Sequence, residues 1–107
     1  MVIVELPIFT KKLLELMDDE NYRELQEALV EQPDLGDLIQ GSGGLRKVRW
    51  KLPPKGKRGG VRVIYYWWAN EDQLLMLLVY PKNEQENLTK QQQSILADLV
   101  QQELDNG

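Results

Sequence analysis

Leu45-Arg46-Lys47-Val48-Arg49-Trp50-Lys51-Leu52 and Val61-Arg62-Val63-Ile64-Tyr65-Tyr66 flank a short break rich in Pro, Gly and Lys, so that residues 45–66 read LRKVRWKLPPKGKRGGVRVIYY. The first segment alternates strictly. Val48, Trp50 and Leu52 share one face of an extended strand, and Lys47, Arg49 and Lys51 share the other. A face with three cations cannot be covered by apolar residues without a heavy desolvation cost. It is therefore expected to look into solvent or a ligand groove. Pro53-Pro54 forbids further pairing, and Gly56, Gly59 and Gly60 bracket Lys57-Arg58 in a hairpin loop. Val61 to Ala69 is rich in β-branched and aromatic residues, which predicts a central strand. Its Tyr65, Tyr66, Trp67 and Trp68 are read as core rather than as a platform for stacking bases.

The charge divides sharply along the chain. Residues 1–45 carry net −7, residues 46–62 carry +8 and residues 71–107 carry −5, within a formal total of −4. The eight cations of the central block are Arg46, Lys47, Arg49, Lys51, Lys55, Lys57, Arg58 and Arg62, and no acid occurs between Ser42 and Asn70. An acidic chain that gathers its positive charge in one hairpin-sized segment is built for a polyanion, with nucleic acid the first candidate.

The flanks predict the remaining elements. Val2 to Leu6 reads as a strand ended by Pro7. Phe9, Leu13, Leu16 and Met17 make one stripe of a helix over residues 8–17. Asp18-Asp19 offers an N-cap for a second helix over residues 20–31, with Tyr22, Leu25 and Leu29 inward and Glu15, Glu20, Glu24, Glu27 and Glu31 on a solvated face. Gly41-Ser42-Gly43-Gly44 leads into the basic strand. Ala69 to Gln73 reads as a tight acidic turn, Leu74 to Tyr80 as an apolar strand and Pro81-Lys82-Asn83-Glu84 as a turn. Thr89 to Leu104 reads as a helix with capping-box spacing between Thr89 and Gln92 and an inward stripe of Ile95, Leu96, Leu99 and Val100. The order β-α-α-β-β-β-α predicts a single α+β domain over residues 1–107, with a small, mostly antiparallel β-sheet, an N-terminal helical hairpin and a C-terminal helix.

Composition narrows the chemistry. At 107 residues and 42% hydrophobic, the chain can bury a real core. It has no cysteine, hence no disulfide framework or thiol nucleophile, and a reducing cytoplasm fits. It has no histidine, which removes the commonest general base and the commonest metal ligand. No metal site or cofactor is expected. MVIVELPIF has no basic region ahead of an apolar run, so a signal peptide is not expected, and the longest apolar run is too short for a membrane span.

Gly41-Ser42-Gly43-Gly44-Leu45-Arg46-Lys47-Val48-Arg49, Gly56-Lys57-Arg58-Gly59-Gly60-Val61-Arg62-Val63-Ile64-Tyr65-Tyr66 and Tyr80-Pro81-Lys82-Asn83-Glu84 together resemble the RelE/HigB family of toxins. These are the toxin halves of bacterial type II toxin–antitoxin pairs. The resemblance spans nearly the whole chain and implies the same β-α-α-β-β-β-α fold. It implies an endoribonuclease, an mRNA interferase, that cuts mRNA in the A site of the ribosome and halts translation. It also implies a cognate protein antitoxin that covers the basic groove.

Carried over by position, Lys47 and Arg49 lie where the family's second strand presents catalytic basic residues, and Arg62 matches the arginine that holds the scissile phosphate. Lys82-Asn83-Glu84 lies where many members have Lys-Arg-Glu, so Asn83 replaces an arginine. Residues 85–89, Gln-Glu-Asn-Leu-Thr, lack the tyrosine that some members carry, so that role is vacant unless Tyr80 or another group fills it.

Cleavage by 2′-hydroxyl attack needs a proton acceptor, charge stabilisation on the phosphorane and a donor to the leaving 5′-oxygen. No metal is required in principle, because the nucleophile belongs to the RNA. Arginine can stabilise the charge but cannot serve as the base, whereas lysine among like charges can. Lys47 is accordingly the first choice as base, with Glu84 and Tyr80 in reserve. Arg49 and Arg62 are assigned to the phosphate, and Lys82 to proton donation or further stabilisation. Arg46, Lys51, Lys55, Lys57 and Arg58 are assigned to gripping RNA backbone phosphates. Two alternatives remain at this stage: a ParE-like relative that poisons DNA gyrase by binding, which tends to lack the basic pair that Lys47 and Arg49 supply, and a non-catalytic RNA- or ribosome-binding module.

Overall fold

The structure, a computed structural model, describes residues 1–53 and 60–106. Five strands, β1 (Val2–Glu5), β2 (Asp37–Leu38), β3 (Leu45–Trp50), β4 (Val61–Trp68) and β5 (Gln73–Pro81), form one sheet in the order β1-β5-β4-β3-β2. β1 runs parallel to β5 and all other pairs are antiparallel. Helices α1 (Pro7–Leu16) and α2 (Asp19–Glu31) precede β2, and α3 (Lys90–Asn106) ends the chain. The α+β architecture expected from the hydrophobic periods is therefore present, with one strand more than expected. β2 is only two residues long and follows a Gly-containing turn, so it offers no alternation to read. The expected lysine-rich hairpin loop lies outside the described residues.

The sheet separates two apolar layers. Phe9, Leu13 and Met17 of the α1 stripe and Leu25 and Leu29 of α2 pack on Val48, Val61, Val63, Tyr65, Leu74, Met76 and Val79. Phe9, Leu25 and Leu29 are fully buried, each contributing about 1.5–3 kcal/mol of hydrophobic stabilisation. Asp18 caps α2 by accepting from the Asn21 amide, and the five glutamates read as a solvated face are all exposed. On the other face, Leu96 and Val100 of α3 pack on Leu45, Ile64, Leu75 and Leu77, with Leu99 and Leu104 beside them. Ile95, expected inward, is half-exposed, and Leu104 completes the stripe in its place. Thr89 and Gln92 cap α3 reciprocally, each backbone N–H donating 3.0 Å to the other's side chain.

Two local features aim the sheet. Ile64 pairs with Leu78 but Tyr65 pairs with Met76, which leaves Leu77 as an extra residue on β5. Strict alternation from Leu74 would send Tyr80 to the α1/α2 face. The bulge moves it to the α3 face instead, directly opposite Arg62. At the start of β4, Gly60 adopts φ +90°, and a Cβ there would collide with the Trp50 carbonyl oxygen. The Gly60 carbonyl accepts from the Lys82 amide at 3.1 Å, joining the ends of β4 and β5.

A cationic cluster closed on one carboxylate

Strand register assembles the site. Arg49 of β3 lies opposite Arg62 of β4, and Arg62 lies opposite Tyr80 of β5, so one row crosses three strands. Lys47 stands two residues before Arg49 on the same face. This part of the α3-facing surface carries polar residues where the rest carries core. Arg49 and Arg62 are like charges directly across an antiparallel pair, which is unfavourable unless an anion lies between them.

That anion is Glu86, from the turn connecting β5 to α3. Its carboxylate receives both Arg62 Nε (3.0 Å, to Oε2) and Arg62 Nη2 (2.9 Å, to Oε1), the forked geometry that makes arginine–carboxylate pairs strong. Lys47 Nζ and Arg49 Nε each lie 3.7 Å from Oε2. The turn is held down by contacts beyond this carboxylate as well. Lys47 Nζ donates to the Glu86 carbonyl (3.3 Å) and to Asn87 Oδ1 (2.6 Å), and the Tyr80 hydroxyl donates to the Glu86 carbonyl at 3.4 Å. Arg49 also reaches Asp37 on β2, 3.7 Å away.

Exposure differs sharply within the cluster. The Arg62 side chain is 6% exposed and Lys47 11%, whereas Glu86 is 49% and Arg49 55% exposed. The buried guanidinium is tolerable only because it is paired. The hydrogen bonds from Arg62 hold the Glu86 carboxyl below the ordinary glutamate value, with the Lys47 and Arg49 charges acting in the same direction. Burial pushes the Tyr80 phenol up, and Glu86 adds to that against the opposing Arg62 and Arg49 charges. Tyr80 therefore stays protonated at neutral pH.

The structure thus brings together Lys47, Arg49, Arg62 and Tyr80. It does not bring in Lys82 or Glu84. Both are exposed, and among the described residues neither side chain makes a hydrogen bond or ion pair, although their backbone amides join the turn. Arg46 points to the opposite face of β3 from Lys47 and donates to the Gly36 (2.8 Å) and Asp34 (3.4 Å) carbonyls, tying down the 33–36 turn. Lys51 is exposed just beyond β3. Lys55, Lys57 and Arg58 lie outside the described residues. Glu86 and Asn87 were not anticipated. The signal available was that Arg62, expected in a central strand, would need a carboxylate, and Glu84 and Glu86 are the only acids between β5 and α3.

No family model matches the sequence. Among solved structures, the chain is similar to one in the intact E. coli RelBE toxin–antitoxin complex. The TM-score is 0.60 at 13% identity, and the match covers 75% of this chain and 94% of that one. It is also similar to a mutant of the E. coli toxin RelE in the free state, with a TM-score of 0.58 at 15% identity over 79% of this chain and 86% of that one. The sheet order and the helices on its two faces go with these two likenesses: the chain has a RelE-like fold.

Proposed function

We propose that this protein is the toxin half of a type II toxin–antitoxin pair and acts as an endoribonuclease on mRNA in the ribosomal A site. The observation that carries this reading is the convergence of Arg62, Lys47 and Arg49 on a single carboxylate within a RelE-like fold. Three cations around one anion position are what the scissile phosphate requires, because charge develops on its non-bridging oxygens in the transition state. The likeness to a chain of a toxin–antitoxin complex supports a protein antitoxin as the partner. In this proposal the antitoxin covers the basic groove, and the pair works in the cytoplasm. Among the described residues, no helix is long and apolar enough to cross a membrane.

In this reading the RNA 2′-oxygen attacks phosphorus and the P–O5′ bond breaks, leaving a 2′,3′-cyclic phosphate and a free 5′-hydroxyl. Arg62 and Arg49 hold the phosphate oxygens. Lys47 acts as the base in its neutral amine form, taking the 2′-hydroxyl proton and becoming the third cation as charge develops on the phosphate, and Tyr80, kept protonated by its burial, donates to the leaving 5′-oxygen. Lys82 and Glu84 stand outside this sequence of events.

Induced expression in a bacterial host tests the proposal. The wild-type chain is expected to arrest growth and protein synthesis, and Arg62→Ala is expected to abolish both while remaining folded by circular dichroism. Undiminished toxicity of folded Arg62→Ala would remove Arg62 from the mechanism and with it the phosphate-holding cluster.

A further inference from the structure

Glu86 occupies the position that a phosphate would need. A carboxylate and two phosphate oxygens present the same bidentate acceptor pair to a guanidinium. Arg62 offers its Nε–Nη2 edge to both Glu86 oxygens, and its side chain is almost enclosed, so that edge cannot serve a second anion at the same time. Lys47 and Arg49 close on the same Oε2.

The two partners are not equally committed. Glu86 is half-exposed and regains water when it swings out, whereas Arg62 cannot leave the sheet and stays desolvated. An exchange in which the anion is replaced and the cation stays is thus the inexpensive one. The turn bearing Glu86 is fastened by side-chain contacts, from Lys47 to the Glu86 carbonyl and Asn87 and from Tyr80 to the Glu86 carbonyl. The donors of these contacts are the groups that the proposed reaction needs.

We propose that Glu86 is an intramolecular stand-in for the RNA phosphate, holding the cluster closed until a nucleic-acid phosphate displaces it from Arg62. This rests on the reading that the cluster takes RNA phosphate. Glu86 then sets an affinity threshold. The open form is the one competent to bind, and apparent affinity is the intrinsic affinity scaled by its population.

The test measures binding of a fluorescent, short, uncleavable 2′-deoxy oligonucleotide to the full chain and to Glu86→Gln, Glu86→Asp and Arg62→Ala. Glu86→Gln is expected to bind on the order of tenfold tighter than wild type, matching an open form populated at about one part in ten. Glu86→Asp, one methylene short of the fork, is expected to fall between the two, and Arg62→Ala to bind more weakly than wild type. If Arg62→Ala weakens binding while both Glu86 variants bind no better than wild type, Glu86 is only a partner for a buried arginine and the proposal fails, with the phosphate reading intact. If Arg62→Ala binds as wild type does, the phosphate reading itself fails.

An independent measurement on the unmodified chain is a titration with inorganic phosphate followed by NMR. The Arg62 Nε–H and the Glu86 and Asn87 amide signals are expected to move together. Movement of the Arg62 signal alone would overturn the displacement.

Discussion

Arg62 is the residue on which the site turns, because it is charged, enclosed and held in the middle of a three-strand row. Charge and shape are separable at this position. Arg62→Lys keeps the cation but loses the planar fork, so growth arrest is expected to be largely lost even though the charge remains. Full activity in that variant would mean that a point charge suffices. Glu86 carries a pH signature as well. Its folded-state value is depressed by the hydrogen bonds from Arg62, so its contribution to stability is fully present above the ordinary glutamate value of 4.5 and is lost as pH falls through the lower folded value. Wild type is therefore expected to melt above Glu86→Gln at neutral pH, with the gap closing as the pH is taken below 4.5. A gap that persists unchanged into acid would contradict the ion pair's role. Removing Glu86 should then lower stability and raise ligand affinity together, as expected where a site is stabilised by a group that competes with its ligand.

Among the elements, β3 was legible because its polarity alternates, since Lys47 and Arg49 against Val48 and Trp50 can fit a half-covered strand in only one way, and β4 because its β-branched and aromatic residues suit a central strand. The caps at Asp18 and Thr89 were legible because capping is local chemistry. Four things were not. β2 has two residues and no period. The Leu77 bulge that brings Tyr80 beside Arg62 arises from register between strands, which no single segment encodes. Glu86 sits in an aperiodic turn, and its role depends on a contact 24 residues back along the chain. The tie between β4 and the 33–36 turn was equally hidden. The buried Tyr65 hydroxyl donates to the Pro33 carbonyl (2.7 Å) and accepts from the Gly36 amide (2.8 Å), where a Cβ on Gly36 would press 2.8 Å from the Tyr65 ring. Tyr65→Phe keeps the ring but orphans those two backbone groups. It is expected to cost about 1–3 kcal/mol in urea or guanidinium unfolding. A cost near zero would show that water takes over both partners.

The molecule as a whole is acidic, yet Lys47, Arg49 and Arg62 gather on the α3-facing side of the sheet, opposite the side on which α1 and α2 pack. Binding to a single-stranded polyanion is therefore expected despite the net charge of −4, with a steep salt dependence. Neutralising Lys47, Arg49 or Arg62 should reduce the slope of log K against log salt by about 0.7 each, whereas Glu24→Gln on the far helix should leave it unchanged. Equal responses at both surfaces would indicate a diffuse charge effect without a site. Whether the cluster cuts message is decided by primer extension on a defined mRNA incubated with purified wild-type or Arg62→Ala protein, with and without translating ribosomes. New ends are expected with wild type and translating ribosomes, and none with Arg62→Ala. Wild-type protein that arrests growth yet leaves the message uncut in both conditions would contradict a ribonuclease and point to a toxin that acts by binding.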